Sequence, residues 1–131
     1  MIRTLLVEDN AEFRAFLKAL LLERFPDGIV QETGNALEAL RLIGEARHDV
    51  VVVDIGLPGS MNGLALVARI REQGRRPPIL VLSNYAIPEY QLEAARLGAD
   101  WFLPKMGSTS QQILAAVERL MLLAAEPPPE S

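Results

Sequence analysis

Short apolar runs alternate along the chain with longer segments of helical period. The runs fall at residues 4–7, 29–33, 50–53, 79–82 and 101–103, the second being the most polar. Strands that are apolar on consecutive positions suit a sheet buried on both faces, as parallel sheets are. After the first run, Phe13, Phe16, Leu17, Leu20 and Leu21 keep the i, i+3, i+4 spacing of an amphipathic helix. After the second, Leu37, Leu40 and Ile43 do the same.

Helix ends are written in the polar residues. Asn35 and Glu38 are spaced as an N-cap and its capping-box partner, and Ser108 and Gln111 repeat the spacing before the last helix. That helix continues through Ile113, Leu114, Val117, Leu120 and Met121 and ends near Ala125, because "EPPPES" cannot carry it further. A third helix starts at Asn62, runs through Leu64, Val67 and Ile70, and ends at Gly74, placed as a left-handed C′ residue. Pro88 suits the first turn of a fourth helix, which stops at Gly98. Strand–helix pairs repeated in this way predict an α/β fold, a doubly wound five-stranded parallel sheet with helices on both faces.

Composition narrows the class without changing that picture. The chain has 131 residues, half of them hydrophobic, enough for one domain with a proper core. We expect that domain over residues 1–125, with 126–131 a Pro-rich tail or the start of a linker. A formal net charge of -4 argues against binding to nucleic acid or an anionic membrane. The chain has no cysteine, which removes disulfides and thiolate metal sites. No apolar stretch approaches the roughly 18 residues of a membrane span, and the apolar N-terminal run ends at Glu8, too soon for a signal peptide. A cytoplasmic location is expected.

The chemistry lies where the strands end. In a doubly wound sheet every strand points its C-terminal end to the same edge, where ligands bind. The first strand ends in Glu8 and Asp9, the third in Asp54, the fourth in Ser83, and the fifth is followed, past Pro104, by Lys105. Strand order 2-1-3-4-5 would make strands one and three neighbours and bring the carboxylates together. Such a cluster is unfavourable without a cation, and hard oxygen ligands suit Mg²⁺ rather than zinc. A carboxylate can also act as a nucleophile towards phosphorus, and Asp54, on the central strand, is the best placed. Gly56 leaves its carbonyl accessible as a further metal ligand, while Lys105 and Ser83 are placed to meet phosphoryl oxygens. Taken singly, each residue has an ordinary structural reading: solvated strand end, helix cap, turn serine, surface lysine. Their coincidence on one edge is harder to attribute to chance.

The stretches "LLVEDN", "VVVDIGLPGSMNG", "ILVLSNYA" and "GADWFLPK" resemble the receiver domains of two-component response regulators, over residues 2 to 123. The resemblance implies a flavodoxin-like (βα)5 sandwich of strand order 2-1-3-4-5. It implies Glu8 and Asp9 as the Mg²⁺-binding acidic pair, Asp54 as the phosphorylated aspartate and the Gly56 carbonyl as a further metal ligand. Ser83 is similar to the hydroxyl that moves to the phosphoryl group, Lys105 to the lysine that pairs with it, and Phe102 to the aromatic switch residue. The implied partners are a sensor histidine kinase or phosphotransfer protein, an effector domain or protein target, and a second copy in a homodimer. The implied role is a switch, with no enzymatic activity beyond its own phosphorylation and dephosphorylation.

The sequence departs from the family pattern in places. Met106 follows Lys105 where a cis-linked proline is usual, and a trans bond is expected, since a cis bond without proline costs about 3 kcal/mol. Asn84 replaces a small residue, and Tyr85 and Gly56 stand where the lifetime of the aspartyl phosphate is tuned. The rival readings are an interaction module that works without phosphorylation, an aspartyl-nucleophile phosphatase, and a flavin binder. The phosphatase is disfavoured by Gly56 in place of a second aspartate, the flavin binder by the acidic "EDNAEF" after the first strand. His48, at the opposite end of the third strand, is expected at the surface or a helix end. Trp101 is expected to be partly buried, and "RRPP" to be a solvated loop.

Overall fold

The computed structural model describes residues 1–84 and 87–125. Strands β1 (Arg3–Val7), β2 (Ile29–Thr33), β3 (Val50–Asp54), β4 (Ile79–Ser83) and β5 (Trp101–Pro104) alternate with helices α1 (Ala11–Arg24), α2 (Ala36–Glu45), α3 (Gly63–Glu72), α4 (Pro88–Leu97) and α5 (Ser110–Ala125). The strands form one parallel sheet in the order β2-β1-β3-β4-β5. Every residue of β3 and β4 is buried, which is why those strands read as unbroken apolar runs. The core lies in two layers. Leu5, Val7, Val51, Val53, Ile79 and Val81 face α2, α3 and α4, and Leu6, Val50, Val52, Leu80 and Leu82 face α1 and α5.

The caps decide where each helix begins. Asn10, Asn35 and Asn62 accept from the amides of Phe13, Glu38 and Ala65 at 2.9, 3.0 and 2.9 Å. Pro88 opens α4 without a side-chain cap, and Gly74 and Gly98 follow their helices with φ of +75° and +112°, as expected. At α5 the capping box lies one residue later than the Ser108–Gln111 frame. The Thr109 amide donates to Gln112 Oε1 (2.8 Å) and the Gln112 amide to Thr109 Oγ1 (3.1 Å). Both frames satisfy the motif; the second brings Ile113, Val117 and Leu120 onto the sheet.

Three other expectations are corrected. Phe16 is 45% exposed and Leu37 63% exposed, so neither belongs to its helix's inward face. On α2 the buried positions are Ala36, Ala39, Leu40 and Ile43, two of the four being small alanines. His48 is only 3% exposed, its Nε2 lying 2.6 Å from Gln31 Oε1 on β2, so it is an interior residue rather than a surface one. Trp101 is 44% exposed, with the Arg119 guanidinium 5.9 Å from its ring. Tyr85 and the segment 126–131 lie outside the described residues.

Candidate functional site

The register of the sheet builds the site. Val7 pairs with Val53, so Glu8 and Asp9 leave β1 beside Asp54, the last residue of β3. On the other flank Asp54 pairs with Leu82 and Ser83 with Pro104, which brings Ser83 and Lys105 to the same edge. The Lys105 amide donates to the Ser83 carbonyl at 2.8 Å, fixing the start of the loop after β5. The sheet thus gathers five of the predicted site residues, Glu8, Asp9, Asp54, Ser83 and Lys105.

One carboxylate oxygen from each of Glu8, Asp9 and Asp54 lies within 4.8 Å of the others, with Glu8 and Asp54 buried and Asp9 exposed. The Lys105 ammonium pairs with Glu8 Oε1 and lies 3.3 Å from Asp54 Oδ2. Against three carboxylates it supplies a single positive charge, so the cluster is left negative in a poorly solvated place. Burial pushes the Glu8 carboxyl above its ordinary range, and the Asp54 charge adds to this. The Lys105 and Asn10 hydrogen bonds pull the other way without cancelling it. Gly56 passes close to the nucleophile candidate: a Cβ there would stand 3.6 Å from Asp54 Oδ2. An all-oxygen donor set with uncompensated negative charge fits a hard divalent cation.

Ser83 is fully buried at the end of β4. Phe102 sits one strand over, half-buried, packed against the core layer and lining a cavity of about 450 Å³ with Gln91, Ala94 and Leu103. The Lys105–Met106 bond is trans, as expected, since the described residues contain no cis peptide.

Three contributors to the site were missed in the sequence. Arg14 Nη1 donates to the Glu8 carbonyl at 2.7 Å while its Nε faces Glu32 at 3.4 Å, tying the acidic loop to α1 and β2. The Phe13 ring lies 4.8 Å from the Lys105 ammonium, so an aromatic taken as core also faces the site's cation. Gly63, the first residue of α3, donates its amide to the Ile55 carbonyl at 2.9 Å, and a Cβ on it would fall 2.7 Å from Ile55 Cα. Only a hydrogen fits there, which lets α3 seat directly on the end of β3. In the sequence Phe13 stood only as part of a helical apolar face; its place with Arg14, one helical turn after the acidic pair, was the signal that could have singled both out, and nothing in the sequence pointed to Gly63 as a contact.

Residues 4–118 match the response regulator receiver domain. The chain belongs to that family. Over 103 residues this receiver is 38% identical to the two-component response regulator PhoP of Pseudomonas aeruginosa, covering 79% of this chain and 44% of that protein. It is similar in structure to the chemotaxis protein CheY4 of Vibrio cholerae, at a TM-score of 0.81 and 28% identity over 92% of this chain and 98% of that one. It is also similar to the receiver domain of a sensor histidine kinase from Pseudomonas aeruginosa, solved with a magnesium ion coordinated in its active-site cleft. That likeness has a TM-score of 0.78 and 26% identity, over 92% of this chain and 97% of that one. The receiver spans about half the length of the curated relatives it matches, 44% of the first and 55% of the second.

Proposed function

We propose that this receiver is a Mg²⁺-dependent phospho-acceptor switch, charged by a sensor histidine kinase or phosphotransfer protein. The observation that carries the reading is the convergence of Glu8, Asp9 and Asp54, with Lys105 bridging Glu8 and Asp54. An Asp54 carboxylate oxygen attacks the phosphorus of a phosphohistidine. The new O–P bond forms as the P–N bond breaks, and the imidazole nitrogen keeps the electron pair. Glu8, Asp9 and Asp54, with the Gly56 carbonyl, are the residues that would hold Mg²⁺. When bound, the ion supplies positive charge against the phosphoryl oxygens.

The chain's own groups do the rest. Lys105, already within reach of Asp54, keeps its charge and pairs with a phosphoryl oxygen, and Ser83 donates a hydrogen bond to the same group. The movement of Ser83 draws Phe102 inward from its half-buried place on β5, repacking the face formed by α4, β5 and α5. The output is a change of partner: an effector domain, a separate protein target or a second copy of the chain. The role is that of a cytoplasmic switch over residues 1–125, with 126–131 as tail or linker. It catalyses nothing beyond its own phosphorylation and dephosphorylation, and it neither binds nucleic acid directly nor enters a membrane. Among the described residues no helix is long and apolar enough to cross one.

A phosphorylation-independent interaction module is the second reading, favoured only by Asn84 and Met106 beside the site. Mass spectrometry after incubation with acetyl phosphate separates the two. The switch predicts a phosphoryl increment that needs Mg²⁺ and is absent in Asp54→Asn. The module predicts no adduct.

A further inference from the structure

At the opposite edge of the sheet, by the C-terminal ends of α2, α3 and α5, lies a second cavity of about 610 Å³. It shares no residue with the acidic cluster. Helix C-termini expose carbonyls, and arginines commonly gather there to satisfy them. Some of the arginines here do that. Arg71 donates to the carbonyls of Gly98, Arg75 and Pro77 at 3.0, 3.1 and 2.9 Å and pairs with Asp100 at 3.0 Å. Arg47 donates to the Ala124 carbonyl at 3.3 Å and lies 3.9 Å from Asp49. Glu45, the acidic residue in the cavity wall, is taken by Arg41 at 2.7 Å.

Arg75 and Arg76 are left over. Both line the cavity, and among the described residues neither guanidinium makes a hydrogen bond or an ion pair. Arg75 reaches across to α2, its Nη2 3.8 Å from where a Cβ on Gly44 would stand, so its charge spans the opening. The floor beneath is apolar, built from Ile43, Ala46, Pro77 and Pro78. The volume falls within the ordinary range for small-molecule sites, roughly 300–1,000 Å³.

We propose that this cavity binds a small molecule that carries a phosphate group on an apolar body, the phosphate meeting Arg75 and Arg76 and the body resting on the proline floor. Phosphate is favoured over carboxylate because two guanidinium forks on one anion need more than the two oxygens that a carboxylate offers. His48, the only histidine of the chain, lines the same cavity and is a natural reporter.

The test follows the His48 imidazole and the Gly44 and Gly74 amides by NMR, with the full chain in EDTA so that the acidic cluster plays no part. The probes are adenosine monophosphate, pyrophosphate, adenosine and succinate. Saturable shifts are expected with adenosine monophosphate, weaker ones with pyrophosphate, and none with adenosine or succinate. Arg75→Ser with Arg76→Ser, both exposed and harmless to the fold, should weaken binding by about tenfold or more, since a tenfold loss is about 1.4 kcal/mol and charge-assisted bonds exceed that. The corresponding lysine pair should recover part of it, and Asp54→Asn should bind as the parent does. Shifts that persist in the double serine variant would overturn the proposal. So would succinate matching the phosphates, pyrophosphate matching adenosine monophosphate, or no saturable shift with either phosphate.

Discussion

Replacing Gly63 by alanine tests the seating of α3 on the edge that carries the acidic cluster. The added Cβ would meet the Asp54 carbonyl oxygen most closely of all, then the Asp54 carbonyl carbon and Ile55 Cα, both at 2.7 Å, and these are backbone atoms that cannot swing aside. Reaching ordinary contact requires α3 to retreat by about 1 Å or more. That stretches the 2.9 Å bond from the Gly63 amide to the Ile55 carbonyl and loosens Leu66 and Val67, both fully buried. Overpacking of this kind costs about 1–3 kcal/mol, and rigid backbone neighbours put this case near the top. Alanine's better helix propensity returns up to about 1 kcal/mol, leaving a net loss of about 2 kcal/mol. For a domain of this size that lowers Tm by roughly 6–12 °C. Urea and thermal unfolding followed by circular dichroism would measure it, with Gly44→Ala as control. At Gly44 a Cβ would meet only Arg75 Nη2, at 3.8 Å, and the substitution should stabilise by about 0.4–1 kcal/mol. If Gly63→Ala unfolds with the parent, or the two variants behave alike, the packing argument is wrong.

Other predictions concern charge. Arg71→Lys keeps the charge but loses the fork that ties α3 to the loops around β4 and β5, and should cost about 2–3 kcal/mol in urea unfolding. Burial, with Arg3 nearby, holds His48 below its ordinary pKa. A depressed folded value means that stability is complete above the unfolded pKa of about 6.5 and is lost as pH falls through the folded one. His48→Gln should therefore lose less stability than the parent on acidification, and parallel pH profiles of Tm would contradict this. Glu8 is the reverse case, held above its ordinary range by burial, so its contribution is complete below the unfolded pKa and is lost as pH rises through the folded one. Lys105→Met removes the cation that opposes this shift, so the variant's Tm should fall more steeply than the parent's as pH rises from acid to neutral in metal-free buffer.

The sheet was legible because buried parallel strands leave unbroken apolar runs, and the edge chemistry because a polar residue follows the first, third, fourth and fifth runs, one residue late in the case of Lys105. Asn35 and Asn62 marked their helices because a cap is a local bond within four residues. Contacts made at a distance left weaker traces. The buried face of α2 includes Ala36 and Ala39 beside Leu40 and Ile43, and the small alanines carry little hydropathy next to the exposed Leu37. His48, in the loop before β3, is buried with its ring against Gln31 of β2, a pairing no local pattern announces. At α5, "STSQQ" holds two overlapping capping frames, and only packing against the sheet chooses between them. Lys105 was placed at the same edge as the carboxylates, but its pairing with Glu8 is a side-chain contact between residues far apart in the chain, which again leaves no local trace.

The measurement that bears most directly on the switch is the intact mass of the chain after acetyl phosphate, with and without Mg²⁺, beside Asp54→Asn. The account predicts one phosphoryl increment in the parent, dependent on Mg²⁺ and absent from the variant. An unmodified parent, even with a phosphohistidine donor, or an adduct that survives in Asp54→Asn, would contradict it.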